Sequence, residues 1–325
     1  ASVGAVIHVD ANPVYHLPAG LGYQDALTQA QLTVALVEQE NETSTHCQYV
    51  LPAHHAFEAW GDHHPRTVVW SLQQPVIAPL YDTRQKEAIL LAWTKGKDTY
   101  TADLYHDLLR ARWEKEIYGP LNPKASFTAF WHAALHDGVI TTEESVPARG
   151  RFRSEALAGV TPTAPAAGTV VSLTTANYIG DGSFAHNGWL QELPHPISKI
   201  VWDNYAAISI ATGAALGVET NDLLEVSTPS GAVTLPVFLT PGQADDVISV
   251  DLGYGRRAGH PVSTSVGADV HPLMDPARLG EGRTIVGASA KKVSGRYELA
   301  STQEHHSLDD TFVKDLHLKR KIIRE

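Results

Sequence analysis

One irregular stretch, residues 178–209, constrains the fold more than any other part of the sequence. Its sequence is YIGDGSFAHNGWLQELPHPISKIVWDNYAAIS, which combines Gly, Pro, Trp and Asn in a way that few folds require. Gly and Pro interrupt regular helices and strands, and Asn side chains hydrogen-bond to nearby backbone groups. We therefore expect a long irregular segment here. The sequence shows no internal repeat.

The composition excludes several classes of protein. The 325 residues are 43% hydrophobic and 19% charged, so the chain can bury a core and has room for two ordinary domains. The formal net charge of −11 disfavours binding to nucleic acid or to anionic lipid, because both are negatively charged. No apolar run approaches the roughly 20 residues that a membrane-spanning helix needs. Nucleic acid and direct membrane insertion are therefore not expected.

The single cysteine limits the metal chemistry of the chain. One thiolate cannot hold an iron–sulfur cluster, which takes about four ligands, so any cluster would lie outside this chain. We expect Cys47 to be a buried small residue rather than a nucleophile. The chain starts at Ala1 and carries no signal peptide, which suggests an internal segment or a processed piece.

The first half of the chain has the pattern of a doubly wound α/β sheet. Short runs rich in Val, Ile and Leu predict strands at residues 4–10, 32–37 and 47–52, the first of them buried and parallel. Helical patterns are found at residues 21–31, 84–94, 101–118 and 127–136.

The helix at residues 101–118 has the clearest amphipathic pattern. Thr101 is its predicted N-cap, with Asp103 in the first turn, and Gly119-Pro120 is expected to end it. The predicted buried face consists of Leu104, Leu108, Trp113 and Ile117. We expect this stripe to pack in a core rather than to bind a cofactor.

The composition changes at residues 147–167, which are rich in Ala, Pro, Gly and Arg and predict a linker. Beyond it, short strands alternate with turns and predict a compact β-barrel. The predicted elements are strands at residues 169–174, 223–227, 233–239 and 247–252, and a helix at 210–216. The domains are therefore residues 1–146, the linker at 147–167, and residues 168–325, which include a basic C-terminal connector at 314–325.

Several segments resemble one known family in both sequence and order. They are residues 42–62, 71–93, 178–209, 215–243, 252–262, 267–276 and 297–310. Together they resemble molybdopterin oxidoreductases, in particular the large iron–sulfur subunit of bacterial alternative complex III, a quinol-oxidising assembly. The resemblance implies an α/β fold class: a Rossmann-like body over residues 1–146, then a double-psi β-barrel over residues 168–325. In active members that barrel closes over the pterin dinucleotide.

One segment departs from the family pattern. Active members usually place a Glu-Gly-Arg-like loop near the cofactor, after a strand that ends in Leu-Pro. Here residues 61–71 are GDHHPRTVVWS, and Glu-Gly-Arg is missing. This difference casts doubt on a bound molybdopterin and agrees with the subgroup that keeps the fold without the cofactor. The ligand of molybdenum in active members would lie upstream of this chain.

The leading hypothesis is a scaffold and electron-transfer subunit of a quinol-oxidising respiratory complex, with no catalytic residue, cofactor or metal on this chain. The resemblance implies partner subunits: an iron–sulfur region, a multihaem cytochrome and a quinol-binding membrane subunit. Iron–sulfur clusters and haems on those partners would pass electrons to cytochrome c or a terminal oxidase. The resemblance also implies a peripheral position on the periplasmic side of the inner membrane.

The alternative is an active molybdenum or tungsten bis-pterin oxidoreductase of the polysulfide-reductase type. In that case the cofactor-binding residues would be Trp202, Asp203, Asn204, Gly253, Gly255 and Arg256. A third hypothesis, an isolated binding module, requires that the segment folds alone.

Both motifs behind the alternative also have a structural explanation, which we favour. Asp203 and Asn204 could bind a pterin or guanine edge, or they could satisfy backbone groups of an irregular loop with Trp189 and Trp202 packed beneath. The loop at residues 253–259 resembles a dinucleotide-binding loop, but its spacing is one residue too long for GxGxxG. We expect it to be a structural turn.

Paired histidines suggest metal binding only weakly. His54-His55 and His63-His64 are adjacent pairs whose side chains diverge, in a segment between Pro52 and Pro65 that we expect to be irregular. Structural polar residues are the favoured interpretation, and the same holds for His305-His306.

Overall fold

The computed structural model describes residues 3–96, 98–121, 123–142, 150–158, 168–281 and 283–303. Contacts divide the chain into two compact units. The first unit is Ala1–Pro13 with Gln24–Pro162, and the barrel unit is Val14–Tyr23 with Thr163–Glu325. Most of the predicted linker, His305-His306 and the basic connector lie outside the described residues.

The strands of the described residues are β1 (Ala5–Val9), β2 (Leu32–Val37), β3 (Tyr49–Pro52), β4 (Gly61–Arg66), β5 (Val69–Gln73), β6 (Val139–Thr141), β7 (Thr169–Thr175), β8 (Ala206–Ile208), β9 (Asp222–Thr228), β10 (Gly231–Leu239), β11 (Val247–Leu252) and β12 (Thr284–Arg296). The helices are α1 (Pro13–His16), α2 (Tyr23–Leu27), α3 (Lys86–Lys95), α4 (Leu104–Trp113), α5 (Gly119–Leu121), α6 (Phe127–Asp137), α7 (Gly188–Gln191) and α8 (Ile210–Leu216). A π-helical turn, Glu114–Tyr118, joins α4 to α5.

The first sheet of the first unit is parallel, with the order β1-β2-β3, and confirms the three predicted strands. The expectation that β1 is buried is wrong, because His8 is its only buried residue. Ile7 and Val9 are 43% and 37% exposed. Among the described residues β1 pairs only with β2, so one edge of the strand is open. The helix predicted at 21–31 is shorter and covers only α2.

The segment between Pro52 and Pro65, which we expected to be irregular, ends in a strand of the second sheet of the first unit. β4 and β5 form an antiparallel hairpin around a turn at Thr67-Val68, and β6 pairs with β5. Pro65 lies in β4, which is an edge strand, where a missing N–H does not interrupt a ladder between two neighbours.

Aromatic residues of α4 and α6 form the core beside this second sheet. Its buried residues are Leu109, Trp113, Ile117, Trp131 and Ala134, which confirms core packing. The predicted face was partly wrong: Leu108 is 46% exposed, and Leu109 is buried in its place. The buried residues 109, 113 and 117 are spaced four apart and therefore share one helical face.

The ends of these helices agree only partly with the predictions. The N-cap of α4 is Asp103 rather than Thr101, and it makes no capping side-chain hydrogen bond. Gly119-Pro120 does not end the helical stretch, because α5 follows directly, with Pro120 in its first turn, where a missing N–H is tolerated. α6 begins after Ser126, whose side chain accepts from the Ala129 N–H, and ends at Gly138 in the left-handed conformation.

The barrel unit confirms the predicted β-barrel. Its six strands close in the order β10-β8-β11-β7-β12-β9. The pairs β7–β11 and β8–β10 are parallel, and the other neighbours are antiparallel. Buried and half-buried residues alternate in β11 and over most of β9, so one side of each strand fills the barrel. The short strand β8 and the long strand β12 were not predicted.

The helix predicted at residues 210–216 is α8. Ser209 caps it by accepting from the Thr212 N–H, and Gly217 ends it in the left-handed conformation. The longest described helix, α6, has 11 residues. None of the described helices is long and apolar enough to cross a lipid bilayer.

Candidate functional site

The residues predicted as a cofactor site lie at one end of the barrel. β11 runs parallel to β7 and antiparallel to β8, so the ends of β7 and β11 lie beside the start of β8. The irregular segments that follow or precede these strand ends meet there. We call residues 179–183, 202–204, 253–256 and 266–269 the loop cluster.

Asn204 connects two segments at this end of the barrel through its side-chain amide. The residue is 2% exposed. Its Nδ2 group donates to the carbonyl oxygens of Asp251 (2.8 Å) and Ala268 (2.9 Å), and its Oδ1 accepts from the Ala268 N–H (2.8 Å). Both amide hydrogens and the carbonyl oxygen are therefore bonded to backbone.

Gly253 and Gly255 allow close approaches of backbone to backbone. Both have positive φ, 101° and 68°. A Cβ atom on Gly253 would lie 2.8 Å from the Gly182 nitrogen, and one on Gly255 would lie 2.0 Å from the Asp269 nitrogen. These positions require glycine for packing within the loop cluster.

Arg256 is buried against Tyr15, which belongs to the short N-terminal segment of the barrel unit, Val14–Tyr23. Its side chain donates to the Gly182 carbonyl (2.7 Å), and its guanidinium carbon lies 4.8 Å from the centre of the Tyr15 ring. Tyr15 is 1% exposed, and its hydroxyl donates to the Tyr254 carbonyl (2.6 Å). Tyr15 thus joins two segments of the loop cluster, with a cation–π contact to Arg256.

Trp202 and Asp203 lie at the edge of the loop cluster. Trp202 has a positive φ of 68°, which is unusual for a bulky residue, and its N–H donates to the Gln191 carbonyl (3.0 Å). Asp203 accepts from the Tyr297 hydroxyl (2.9 Å). Burial raises the pKa of Asp203, against the effect of its hydrogen bonds from Tyr297 and the Gly267 backbone. The expectation that Trp189 packs beneath this loop is wrong, since its side chain is 86% exposed.

Part of the chain matches a known protein family, and most of it resembles known proteins in sequence or fold. Residues 184–278 match the molydopterin dinucleotide binding domain family. A menaquinone reductase, molybdopterin-binding-like subunit, of Nitratidesulfovibrio vulgaris is 27% identical over 287 residues, which cover 84% of this chain and 39% of the relative. The acetylene hydratase from Pelobacter acetylenicus superposes with a TM-score of 0.59 at 14% identity, over 89% of this chain and 44% of that protein.

The chain is therefore similar to a molybdopterin-binding-like subunit over most of its length, and part of it matches the molydopterin dinucleotide binding domain. It spans about two fifths of the length of its curated relative. The acetylene hydratase comparison supports the fold alone, because the sequence identity is low. The matched domain contains Trp202, Asp203, Asn204, Gly253, Gly255 and Arg256. Whether these six residues bind a cofactor stays a prediction.

Two histidines of the barrel unit lie close to Tyr15. His16 lies 3.2 Å from the Asp181 carbonyl oxygen through Nε2, and His271 lies 2.7 Å from the Asp269 carboxylate through Nδ1. The two imidazole rings are 5.9 Å apart, centre to centre. Burial lowers the pKa of His16, which the Asp181 carboxylate opposes and the His271 ring reinforces. His16 is therefore mainly neutral near pH 7.

The paired histidines of the first unit have structural partners. His54 bonds the Thr83 hydroxyl (2.6 Å), and His64 stacks on Trp70 with ring centres 3.6 Å apart. No group of three or more His, Cys, Asp or Glu residues with the geometry of a metal site occurs within the described ranges.

Cys47 is half-buried rather than buried as expected. Its sulfur lies 3.5 Å from His8 Nδ1 and donates to the Thr43 carbonyl. Burial raises the pKa of the Cys47 thiol, which opposes formation of a nucleophilic thiolate.

The sequence interpretation missed the residues that hold the loop cluster together from the N-terminal side. Tyr15 and His16 follow the Asn12-Pro13 turn, and His271 lies in a segment that was noted only as part of the resemblance. Tyr15 and Tyr254 are 239 positions apart in the chain. Local periodicity contains no signal for a contact at that separation.

Proposed function

We propose that this chain is a cofactor-free structural part of a quinone-linked respiratory complex. The curated relative is named a menaquinone reductase subunit that is molybdopterin-binding-like, and the similarity extends over 84% of this chain. In the proposed complex the redox reaction takes place on partner subunits. This chain holds those subunits in position and has no catalytic residue of its own.

The hydrogen bonds and burial of side chains in the loop cluster are the main support for the cofactor-free part of the proposal. A pterin dinucleotide presents phosphates and amide edges, which need N–H donors that point away from the protein fold. Asn204 has both amide hydrogens bonded to backbone carbonyls, and Arg256 is 4% exposed with bonds inside the loop cluster. The engagement of the Asn204 and Arg256 side chains within the fold supports a chain without a pterin. We therefore derive no reaction step from a pterin on this chain.

Two quinone reactions are consistent with the relatives. The resemblance to alternative complex III implies quinol oxidation, with electrons passed to cytochrome c or a terminal oxidase. The name of the curated relative describes menaquinone reduction. Both reactions transfer electrons between a quinone and other redox centres, and this shared class is what we propose. The iron–sulfur clusters and haems would belong to partner subunits and the quinone site to a membrane subunit, with this chain as a peripheral part on the periplasmic side.

The finer fold assignment is part of the same proposal. We infer that the barrel is of the double-psi class and that the first unit is part of a Rossmann-like body. A closed six-stranded barrel with two parallel pairs and a three-stranded parallel sheet support this inference.

The metal and pterin content of the native complex tests the cofactor-free proposal. The measurement combines elemental analysis for Mo, W and Fe with fluorescence of oxidised pterin, normalised to the amount of this chain. We expect iron and haem without stoichiometric Mo, W or pterin. Turnover with a quinone and with a quinol, in the same preparation, gives the direction of electron transfer. Stoichiometric metal and pterin would overturn the proposal.

An active Mo or W oxidoreductase remains the second candidate, because the matched domain includes all six residues of the alternative site. It predicts one Mo or W and a pterin signal per chain in the same measurement. It also predicts loss of that signal when Arg256 is replaced by Lys or Gln.

A further inference from the structure

A cleft on the wall of the barrel unit has the chemistry of a binding site that the proposed function does not use. Its volume is about 180 Å³, well above the roughly 10–15 Å³ that one water molecule needs. Parts of β7, β8, β10 and β11 and the segment before β8 line it. The residues that define its chemistry are His195, Tyr205, Phe238, Gln243 and Asp251.

The Asp251 carboxylate gives this cleft its charge. One carboxylate oxygen, Oδ1, accepts from the Thr174 hydroxyl at 2.5 Å. Among the described residues, no Lys or Arg side chain forms an ion pair with Asp251. The nearby Lys199 amine instead donates to the Pro196 carbonyl (2.9 Å). A carboxylate in a cleft without a cationic partner favours a cationic ligand.

His195 does not neutralise that charge. Its Nδ1 atom accepts from the backbone N–H groups of Ile197 and Ser198, both at 3.2 Å, so Nδ1 carries no proton. Burial lowers the pKa of His195, which the Asp251 carboxylate opposes and the Lys199 ammonium reinforces. The neutral imidazole therefore carries its proton on Nε2, and the cleft keeps the negative charge of Asp251.

Aromatic rings form the walls beside the carboxylate. The rings of Tyr205 and Phe238 are 5.4 Å apart, and those of His195 and Tyr205 are 6.1 Å apart, both edge to face. The Tyr205 hydroxyl donates to Ser198 Oγ (2.8 Å), which fixes the ring. Aromatic faces attract cations, and planar guanidinium groups stack on them better than a compact ammonium does.

We propose that this cleft binds a guanidinium group, held by the Asp251 carboxylate and packed against the aromatic wall that Tyr205 and Phe238 form. Gln243 also lines the cleft, where its amide nitrogen donates to Ser249 Oγ (2.9 Å), and its Oε1 would serve as a further acceptor for a ligand N–H. The guanidinium belongs either to a small free compound or to an arginine side chain of a partner subunit. The site does not depend on the presence or absence of a pterin, so it stands apart from the proposed function.

Titration of the full-length protein with methylguanidinium tests the proposal, with neutral methylurea as the matched control compound. The variants are Asp251→Asn, which keeps the acceptor for Thr174 and removes the charge, and Glu225→Gln. Glu225 is a carboxylate on β9, outside the cleft, that pairs with Lys291 (2.8 Å). Thermal unfolding of each variant shows whether it is folded. Phe238→Leu is a second probe, which removes one ring and keeps the carboxylate.

We expect methylguanidinium to bind the wild type and Glu225→Gln, and methylurea to bind neither. Asp251→Asn should weaken binding about tenfold or more, because a charge-assisted hydrogen bond is lost. Phe238→Leu should weaken it several-fold.

The same titration on the native complex separates the two sources of the guanidinium. Binding to the complex as well as to the chain indicates a free compound. Loss of binding in the complex, together with weaker assembly of Asp251→Asn but not of Glu225→Gln, indicates a partner arginine. If methylguanidinium does not bind the full-length protein and Asp251→Asn assembles normally, the proposal is wrong.

Discussion

In the barrel unit every strand pairs with two neighbours, whereas in the first unit β1 and β3 each have one strand neighbour among the described residues. The difference is visible in burial. Val171, Leu224, Leu235 and Ile248 of the barrel are 0% exposed, but Ile7 of β1 and Tyr49 of β3 are 43% and 58% exposed.

The two units stabilise their sheets in different ways. A closed barrel buries one side of every strand against its own other strands, so its core is complete within the unit. An open parallel sheet needs other elements to cover its faces and edges. The exposure of apolar residues in β1 and β3 therefore does not mean that their sequences form strands poorly. They are buried only where another element covers them.

The largest expected difference between the two regions concerns their apolar residues. Leu224→Ala should lower the free energy of unfolding of the barrel by about 2–5 kcal/mol, because it leaves a cavity in a closed core. Ile7→Ala on β1 should cost less than about 1 kcal/mol, since that side chain already contacts solvent. Denaturant unfolding followed by hydrogen exchange of peptides from each unit measures both. Equal costs would show that β1 is covered in the intact protein.

Asn204 tests whether the loop cluster is held by its own contacts. Asn204→Ala should destabilise the barrel unit by about 2–4 kcal/mol, because buried carbonyl and N–H groups lose their partners. The matched control is Asn187→Ala, which removes an exposed N-cap of α7 and should cost about 1 kcal/mol. The thermal unfolding temperature of both variants gives the comparison. A folded, equally stable Asn204→Ala variant would contradict the internal role of this side chain.

Two tyrosines of the barrel unit differ in what their hydroxyls contact. Tyr15→Phe removes the bond to the Tyr254 carbonyl and should cost about 1 kcal/mol. The Tyr178 hydroxyl is buried without a hydrogen-bond partner in the described structure, so Tyr178→Phe should be neutral or slightly stabilising. The two urea midpoints should therefore move in different directions or by clearly different amounts. A loss of stability in Tyr178→Phe would reveal a partner for that hydroxyl.

The smallest expected effect is a pH dependence of the first unit that arises from His8. Burial lowers the pKa of His8 from its ordinary value of 6.5, partly offset by a hydrogen bond to the Val34 backbone. The unfolded chain then binds more protons than the folded one as the pH falls through 6.5, so stability is lost on acidification. Hydrogen exchange of residues 5–9 at about pH 7.5 and about pH 5.5 measures this loss. His8→Gln should reduce the pH dependence, and an unchanged slope would assign it to other groups.

Much of the fold could be predicted because it depends on neighbouring residues. The helices α6 and α8 have a local cap at each end, Ser126 with Gly138 and Ser209 with Gly217. The strands β2, β7, β9, β10 and β11 have apolar residues at strand spacing and turn residues between them. The candidate site was predicted only as a set of residues from one resemblance. Their meeting at one end of the barrel follows from the pairing of β11 with β7 and β8.

The sequence by itself determined four of the six barrel strands, the main helices and the resemblance to molybdopterin oxidoreductases, because each rests on patterns within a few residues or on the order of motifs. The tertiary structure decided which of those residues are buried and what they contact. It placed Tyr15 against Arg256, left Trp189 and most of β1 exposed, and bonded the Asn204 amide entirely to backbone. The physical reason is that burial and hydrogen-bond partners depend on which distant segments come together, and local periodicity does not encode contacts across 239 residues.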